Sequence, residues 1–266
     1  MSNNDNSKPL ISDIFGAAAY GEALKIVTEE SIKGTFSFIS KICSPAAEEF
    51  GLYFADNIRV WRLNNIIKII EKSKGKLEFV DNKLQLKAHP RVVMDIIDKG
   101  SWQENTELQD MWAGLLASSC QKESENDDNI IYTTILNQLT STEVKILNYF
   151  TVNSAKLATA EGIVKTKEGL IISAEEFSKI VGTDNFEKLN VGINHLKSLQ
   201  LIETGFGLAS GFFKDGDKSQ GLKVGLKLSP LAIILYVKCQ GYNGLARDFF
   251  SLAYDPTSTD DSDDYL

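Results

Sequence analysis

The residues in this 266-residue chain that are equipped for chemistry are few and scattered. Its two histidines, His89 and His195, fall in different predicted elements, and neither has a Cys or carboxylate at metal-ligand spacing. Cys43, Cys120 and Cys239 are the only cysteines. An odd, sparse set is poor material for a disulfide framework and fits a reducing, cytoplasmic setting. Cys120 sits near Ser118 and Ser119 with no activating base in sequence, and reads as a small buried thiol. His195, between Ile193 and Leu196, reads as a packing or surface residue. The acidic run Glu123–Asp128 lacks the Gly and terminal Glu of a calcium loop and reads as a solvated loop. There is no Walker loop, dinucleotide fingerprint or nucleophile elbow. The chain is therefore expected to be non-enzymatic, with no catalytic, cofactor-binding or metal residues and no cofactor.

Two polar sets remain as candidates for binding. The first is Arg59, Arg62, Asn64 and Asn65, a band opposite an apolar helical stripe. Such a band is either a solvated face, a buried pairing with carboxylates, or a contact for a protein partner or polyanion. The second is Asn185, Lys188, Asn194 and Lys197 on one helix, with Lys214, Lys218 and Lys223 on a following ribbon. Asn and Lys can reach bases and phosphates. Trp112 and Trp102 read as core aromatics and not as a stacking platform for bases.

These sets need elements to hold them, and the pattern is mainly helical. Residues 12–73 read as helices interrupted at Ser44-Pro45, with Ala46, Phe50, Phe54, Ile58 and Trp61 on one stripe and Gly75 as the stop. A weakly alternating stretch, Lys76–Ala88, is followed by a short helix over Val92–Asp98 that ends at Gly100. Capping signals at Ser101–Glu104 and Thr106–Gln109 open a helix carrying Leu108, Met111, Trp112, Leu115 and Leu116. Thr140 and Glu143 form another capping box. Ser173 caps a helix stopped by Gly182, and Asp184 is expected to cap the next one. Extended stretches over Leu201–Leu208 and Leu222–Leu228 flank a turn at Lys214–Asp217, and Ser229-Pro230 starts a last apolar helix. The expected organisation is a flexible N-terminus over 1–11, a helical domain over 12–129, a winged helix-turn-helix-like α+β domain with a small β-wing over 130–254, and a disordered acidic tail over 255–266.

Charge sharpens the choice among partners. The net −8 comes from residues 101–139 (1 basic, 7 acidic) and 255–266 (no basic, 5 acidic). Residues 1–100 carry 14 basic and 13 acidic groups, and 140–254 carry 13 and 11. That is far from the footprint of a strong DNA binder, so nucleic-acid binding is the secondary reading. The polar start MSNNDNSKPL is no signal peptide, and the longest apolar run, Leu231–Val237, is too short to span a bilayer. The Gly/Ala/Ser-rich stretch Ile14–Ile42 offsets its lysines with glutamates. A core hairpin fits it better than a membrane-surface helix, which leaves a membrane-active toxin as a further alternative.

Three blocks carry a resemblance: PAAEEFGLYFADNIRVWRLNN (Pro45–Asn65), RVVMDIIDKGSWQENTELQDMWAGLLASS (Arg91–Ser119) and YTTILNQLTSTEVKILNYF (Tyr132–Phe150). With HLKSLQLIET and KLSPLAIILYVKC, they make the chain similar to the Abi-alpha family of bacterial proteins over about Ile14–Cys239. That resemblance implies an abortive-infection, anti-phage role in the cytoplasm; the expected mode of action is binding of an unknown protein partner, from the host or the phage, by the helical N-terminal body. It brings no catalytic residues with it.

Overall fold

A computed structural model describes residues 29–47, 60–77, 86–120, 126–203, 207–209 and 223–253. The chain is mainly helical with small sheets, and it divides into two compact units. Met1–Asn137 together with Cys239–Gly241 form the first unit, and Gln138–Lys238 together with Tyr242–Leu266 form the second. The division falls one helix later than the sequence led us to expect. The expected flexible N-terminus and acidic tail lie outside the described residues.

The first unit contains α1 (Glu29–Ile42), α2 (Val60–Leu77), α3 (Pro90–Gly100), α4 (Thr106–Ser119) and most of α5 (Ile130–Gln138). α2 lies along α4. The stripe Leu63, Ile66, Ile67, Ile70 of α2 is buried, as are Leu108, Met111, Trp112 and Leu115 of α4. Each such side chain removed from water contributes about 1.5–3 kcal/mol. α1 contributes Ile32, Ile39 and Ile42 to the interior, so the apolar face of its described part is used in packing. α5 belongs here because the Thr133 hydroxyl donates to the Asp95 carboxylate of α3, and Asn129 donates to Ser119 Oγ at 2.7 Å. Gly75 does not stop α2, which runs on to Leu77. Two further helical residues cost little where Lys74 and Lys76 stand in the last turn, at the negative end of the helix dipole. In α4, Gly114 permits a close approach: a Cβ there would lie 1.6 Å from the carbonyl oxygen of Cys239.

The α4 cap is a correction. Asn105, not Ser101 or Thr106, accepts from the backbone N–H groups of Glu107 and Leu108. Ser101 instead follows the end of α3, and its hydroxyl is taken up by another partner described below.

The second unit runs α6 (Ser141–Asn153), a hairpin of β1 (Lys156–Ala158) and β2 (Val164–Thr166), β3 (Leu170–Ser173), α7 (Ala174–Val181), α8 (Phe186–Ser198), β4 (Gly207–Ala209), β5 (Lys223–Leu226), α9 (Pro230–Cys239, its last residue assigned to the first unit) and α10 (Ala246–Phe249). Thr140 and Glu143 form the expected reciprocal capping box at α6. Ser173 caps α7, and Gly182 closes it in the left-handed region at φ 77°. Asn185, not Asp184, caps α8, accepting from Lys188 N at 3.0 Å. At α9, Ser229 Oγ accepts from Ala232 N at 3.2 Å, with Pro230 in the first turn.

Two features were not visible in the sequence. β1 and β2 pair antiparallel, Lys156 opposite Thr166 and Ala158 opposite Val164. β3 joins the ribbon, giving a three-stranded antiparallel sheet in the order β3-β5-β4, with Ile172 opposite Val224 and Leu208 opposite Val224 on the other side. Strands of three or four residues carry too little alternation to be recognised. Phe150, Phe177, Leu189, Ile193 and Leu226 are buried in this unit.

Candidate interaction surface

The most distinctive polar cluster of the first unit is built on Arg62. The 3.6-residue period of α2 turns Arg62 and Asn65 inward with Leu63 and Ile66, and both are buried, 5 % and 3 % exposed. Arg62 Nε and Nη2 donate to Ser101 Oγ at 3.0 and 2.8 Å, and Nη2 pairs with Asp98 Oδ1 at 3.2 Å. Asn65 donates to Ser101 O at 3.1 Å, and Gln109 donates to Gln103 O at 2.8 Å. The guanidinium carbon stands 4.1 Å from the centroid of Trp102, whose ring meets Trp61 edge-on with centroids 5.5 Å apart.

This geometry corrects two expectations. Arg62 and Asn65 do not stand on a solvated band; they clamp the α3–α4 turn to α2, the buried-pairing alternative. A guanidinium hydrogen-bonded through Nε and Nη2 and stacked on an indole can be buried where a bare cation cannot. Asn64 is half-buried, and Arg59 lies outside the described residues. Trp102 is not a core aromatic: it is 56 % exposed, whereas Trp112 is 0 % exposed. Trp102 therefore presents one face to solvent while Arg62 fixes the other. Exposed Glu104 and Asp98 flank it in sequence, with Lys99 between Asp98 and the indole, and Asp98 is already paired with Arg62. A rigid, half-exposed indole backed by a fixed cation is the kind of group that dominates protein interfaces.

In the second unit, α8 exposes Lys188 and Asn194, with Lys197 half-buried. Asn185 is exposed too, with its carbonyl oxygen engaged as the helix cap. Between these groups stand Val191 at 64 % and Phe186 at 40 % exposure, which makes the face mixed and not a cationic stripe. Lys223 is half-buried on β5, and Lys214 and Lys218 lie outside the described residues. Thus α8 brings together Asn185, Lys188, Asn194 and Lys197, while the ribbon contributes only Lys223 among the described residues.

Sequence reasoning missed the partner of His195. Its Nδ1 lies 2.6 Å from Oε1 of Glu143, whose side chain is 2 % exposed. The other carboxylate oxygen accepts from Thr140 N at 2.7 Å and Thr140 Oγ1 at 2.8 Å. One carboxylate thus ties the start of α6 to α8 and fixes how the α8 face is presented. The capping box was the available signal; the histidine, 52 residues on, was not.

The thiols sit away from solvent. Cys43, Cys120 and Cys239 are buried and free. Burial pushes Cys120 up to about 12, with Cys43 adding to the effect, and burial raises Cys239 as well. A thiol held protonated is a poor nucleophile. No helix among the described residues is long and apolar enough to cross a membrane.

A family model described as abortive infection alpha matches residues 62–211. That is more than half of the chain, although narrower than the Ile14–Cys239 resemblance. No curated protein and no solved structure matches it.

Proposed function

This chain belongs to the abortive infection alpha family, and we propose that it acts in anti-phage defence without catalysis of its own, in the cytoplasm, by binding a protein partner through the first unit. The observation that carries this reading is Trp102, 56 % exposed yet stacked on Arg62 at 4.1 Å. An aromatic already fixed in place loses little conformational entropy on docking, so its burial is converted efficiently into affinity. The test is phage protection by Trp102→Ala with the melting temperature of the purified protein measured alongside. Loss of protection in a chain that melts as the parent does is expected. Full protection removes Trp102 as the contact and with it this reading.

A second reading rests on the order of α6, β3, α7, α8, β4 and β5 and on the β3-β5-β4 sheet. That order is consistent with a winged helix, in which α8 would be the recognition helix. On that reading the chain is a DNA-binding regulator that uses Lys188, Asn194 and Lys197. Val191 and Phe186 on the same face argue for a protein ligand there instead. Gel shifts at falling salt distinguish the two; absence of a shift at low salt sinks the regulator.

A further inference from the structure

The C-terminal end of α6 and the bend between β2 and β3 border a depression of about 370 Å³ in the second unit, lined by Asn153, Ser154, Lys167, Glu168, Gly169 and Leu170, among others. That volume lies toward the lower end of small-molecule sites, about 300–1,000 Å³. Its walls are tied together. Lys167 N donates to Ala155 O at 2.9 Å, continuing the β1–β2 pairing of Lys156 with Thr166. Lys156 is not in the lining; its ammonium donates to Ser154 O at 2.8 Å and pins the end of α6.

Ser154 is the member that the fold leaves unsatisfied. It is 7 % exposed, its N–H donates to Phe150 O at 3.0 Å and its carbonyl takes the Lys156 ammonium, but its hydroxyl has no partner among the described residues. A buried hydroxyl left unpaired costs the fold and adds nothing to it, whereas a ligand group in the depression can claim it after rotation about χ1.

The other polar groups of the lining are also uncommitted. Asn153 Nδ2 donates to Tyr149 O at 2.7 Å, which leaves its Oδ1 as an acceptor. Among the described residues, the Gly169 N–H, the exposed Lys167 ammonium and the exposed Glu168 carboxylate have no hydrogen-bond or ion-pair partner.

Both signs of charge thus meet at one small site. Lys167 and the Gly169 N–H are donors suited to a carboxylate. Glu168, Asn153 Oδ1 and the C-terminal end of the 13-residue α6, the negative pole of its dipole, suit an ammonium. A simple anion meets Glu168 and a simple cation meets Lys167, so neither is the complementary ligand. Half-buried Leu170 adds an apolar contact.

We propose that this depression binds a small zwitterion of the amino-acid type, its carboxylate against Lys167 and the Gly169 N–H, its ammonium against Glu168 and Asn153 Oδ1, with Ser154 Oγ taken up by the ligand. All of these residues belong to the second unit, so the site stands or falls separately from Trp102.

Amide chemical shifts of Ser154 and Gly169 in the intact chain read its occupancy. Titration with L-norleucine is expected to shift both saturably, with glycine as a smaller zwitterion alongside. Hexanoate lacks the ammonium of norleucine and pentylamine lacks its carboxylate; each is expected to bind at least about tenfold more weakly, the factor for one charge-assisted hydrogen bond. Lys167→Gln and Glu168→Gln are expected to weaken norleucine binding by about the same factor. Ser154→Ala is expected to weaken it by about two- to tenfold while melting no lower than the parent, because the hydroxyl it removes supports no part of the fold. No saturable shift with either zwitterion up to about 50 mM, well above the millimolar range, overturns the proposal. Hexanoate or pentylamine binding as tightly as norleucine refutes it as well, because one charge then suffices. Binding left intact by Lys167→Gln, Glu168→Gln or Ser154→Ala is equally fatal, since each residue is assigned a direct contact.

Discussion

Arg62 offers the sharpest test of how the first unit is held together. Arg62→Ala removes a charged donor with only 6 % side-chain exposure. Its two contacts to Ser101 Oγ share one acceptor, so they count as a single charge-assisted interaction of about 1.5–3 kcal/mol. The stacking on Trp102 at 4.1 Å adds about 1–2 kcal/mol. The Asp98 pair adds less than about 1 kcal/mol, because that carboxylate is 53 % exposed and screened by water. Ser101 keeps its bond to Asp98 O, so the alanine variant strands no hydroxyl. The expected loss is about 3–5 kcal/mol, a large fraction of a typical domain's stability. Urea unfolding should show a lower midpoint at unchanged slope. A double-mutant cycle with Trp102→Ala should return a coupling of about 1–2 kcal/mol. A loss under about 1 kcal/mol would refute the interior role and return Arg62 to the solvated band. Since the variant is expected to be unstable, its loss of phage protection would say nothing about a contact surface; Trp102→Ala is the informative substitution there.

Other consequences can be checked in the same way. Gly114→Ala forces a Cβ to within 1.6 Å of the Cys239 carbonyl oxygen, so the helix backbone must shift; a loss of about 3 kcal/mol or more is expected by urea unfolding, and a neutral substitution would contradict the close approach. Glu143→Ala removes the α6 capping box and strands His195, for an expected loss of about 2–4 kcal/mol, whereas His195→Ala should cost less because Thr140 still holds the carboxylate. The Cys120 thiol titrates near 9.0 when unfolded and at about 12 when folded. The raised folded value means that its contribution is complete below pH 9 and lost as pH climbs toward 12, on the order of 4 kcal/mol in all. Stability measured across that window should fall less steeply in Cys120→Ala than in the parent, and parallel curves would count against the shift.

What the sequence disclosed was local. The Thr140–Glu143 box, the Ser173 cap, the Gly182 stop and the Ser229-Pro230 start each depend on residues within one helical turn, and each stands in the structure. The α4 stripe was legible for the same reason. Ser101 shows the limit: its spacing to Glu104 satisfies a capping rule, yet its hydroxyl serves Arg62, 39 residues away. A competing long-range partner leaves no mark on local spacing. Asn105 won the α4 cap from neighbours with equally good capping side chains, and Asn185 displaced Asp184 in the same way. Arg62 and Asn65 were readable as polar and as helical, but only Ser101, Gln109 and Trp102 together make their burial affordable. The exposure of Trp102 follows from that same cluster and was equally hidden.

The assignment of Cys239–Gly241 to the first unit has a consequence for the order in which the chain matures. During synthesis Met1–Asn137 emerges first, yet the residues that seat against Gly114 are made only after Gln138–Lys238 has been threaded out. At about 5–20 residues per second, that interval lasts on the order of ten seconds. Through it the first unit waits with a glycine-lined notch on α4 unfilled. Its folding is therefore not vectorial: nascent chains stalled before residue 239 should hold the first unit in a protease-sensitive state, and those stalled with Gly241 clear of the ribosome should not.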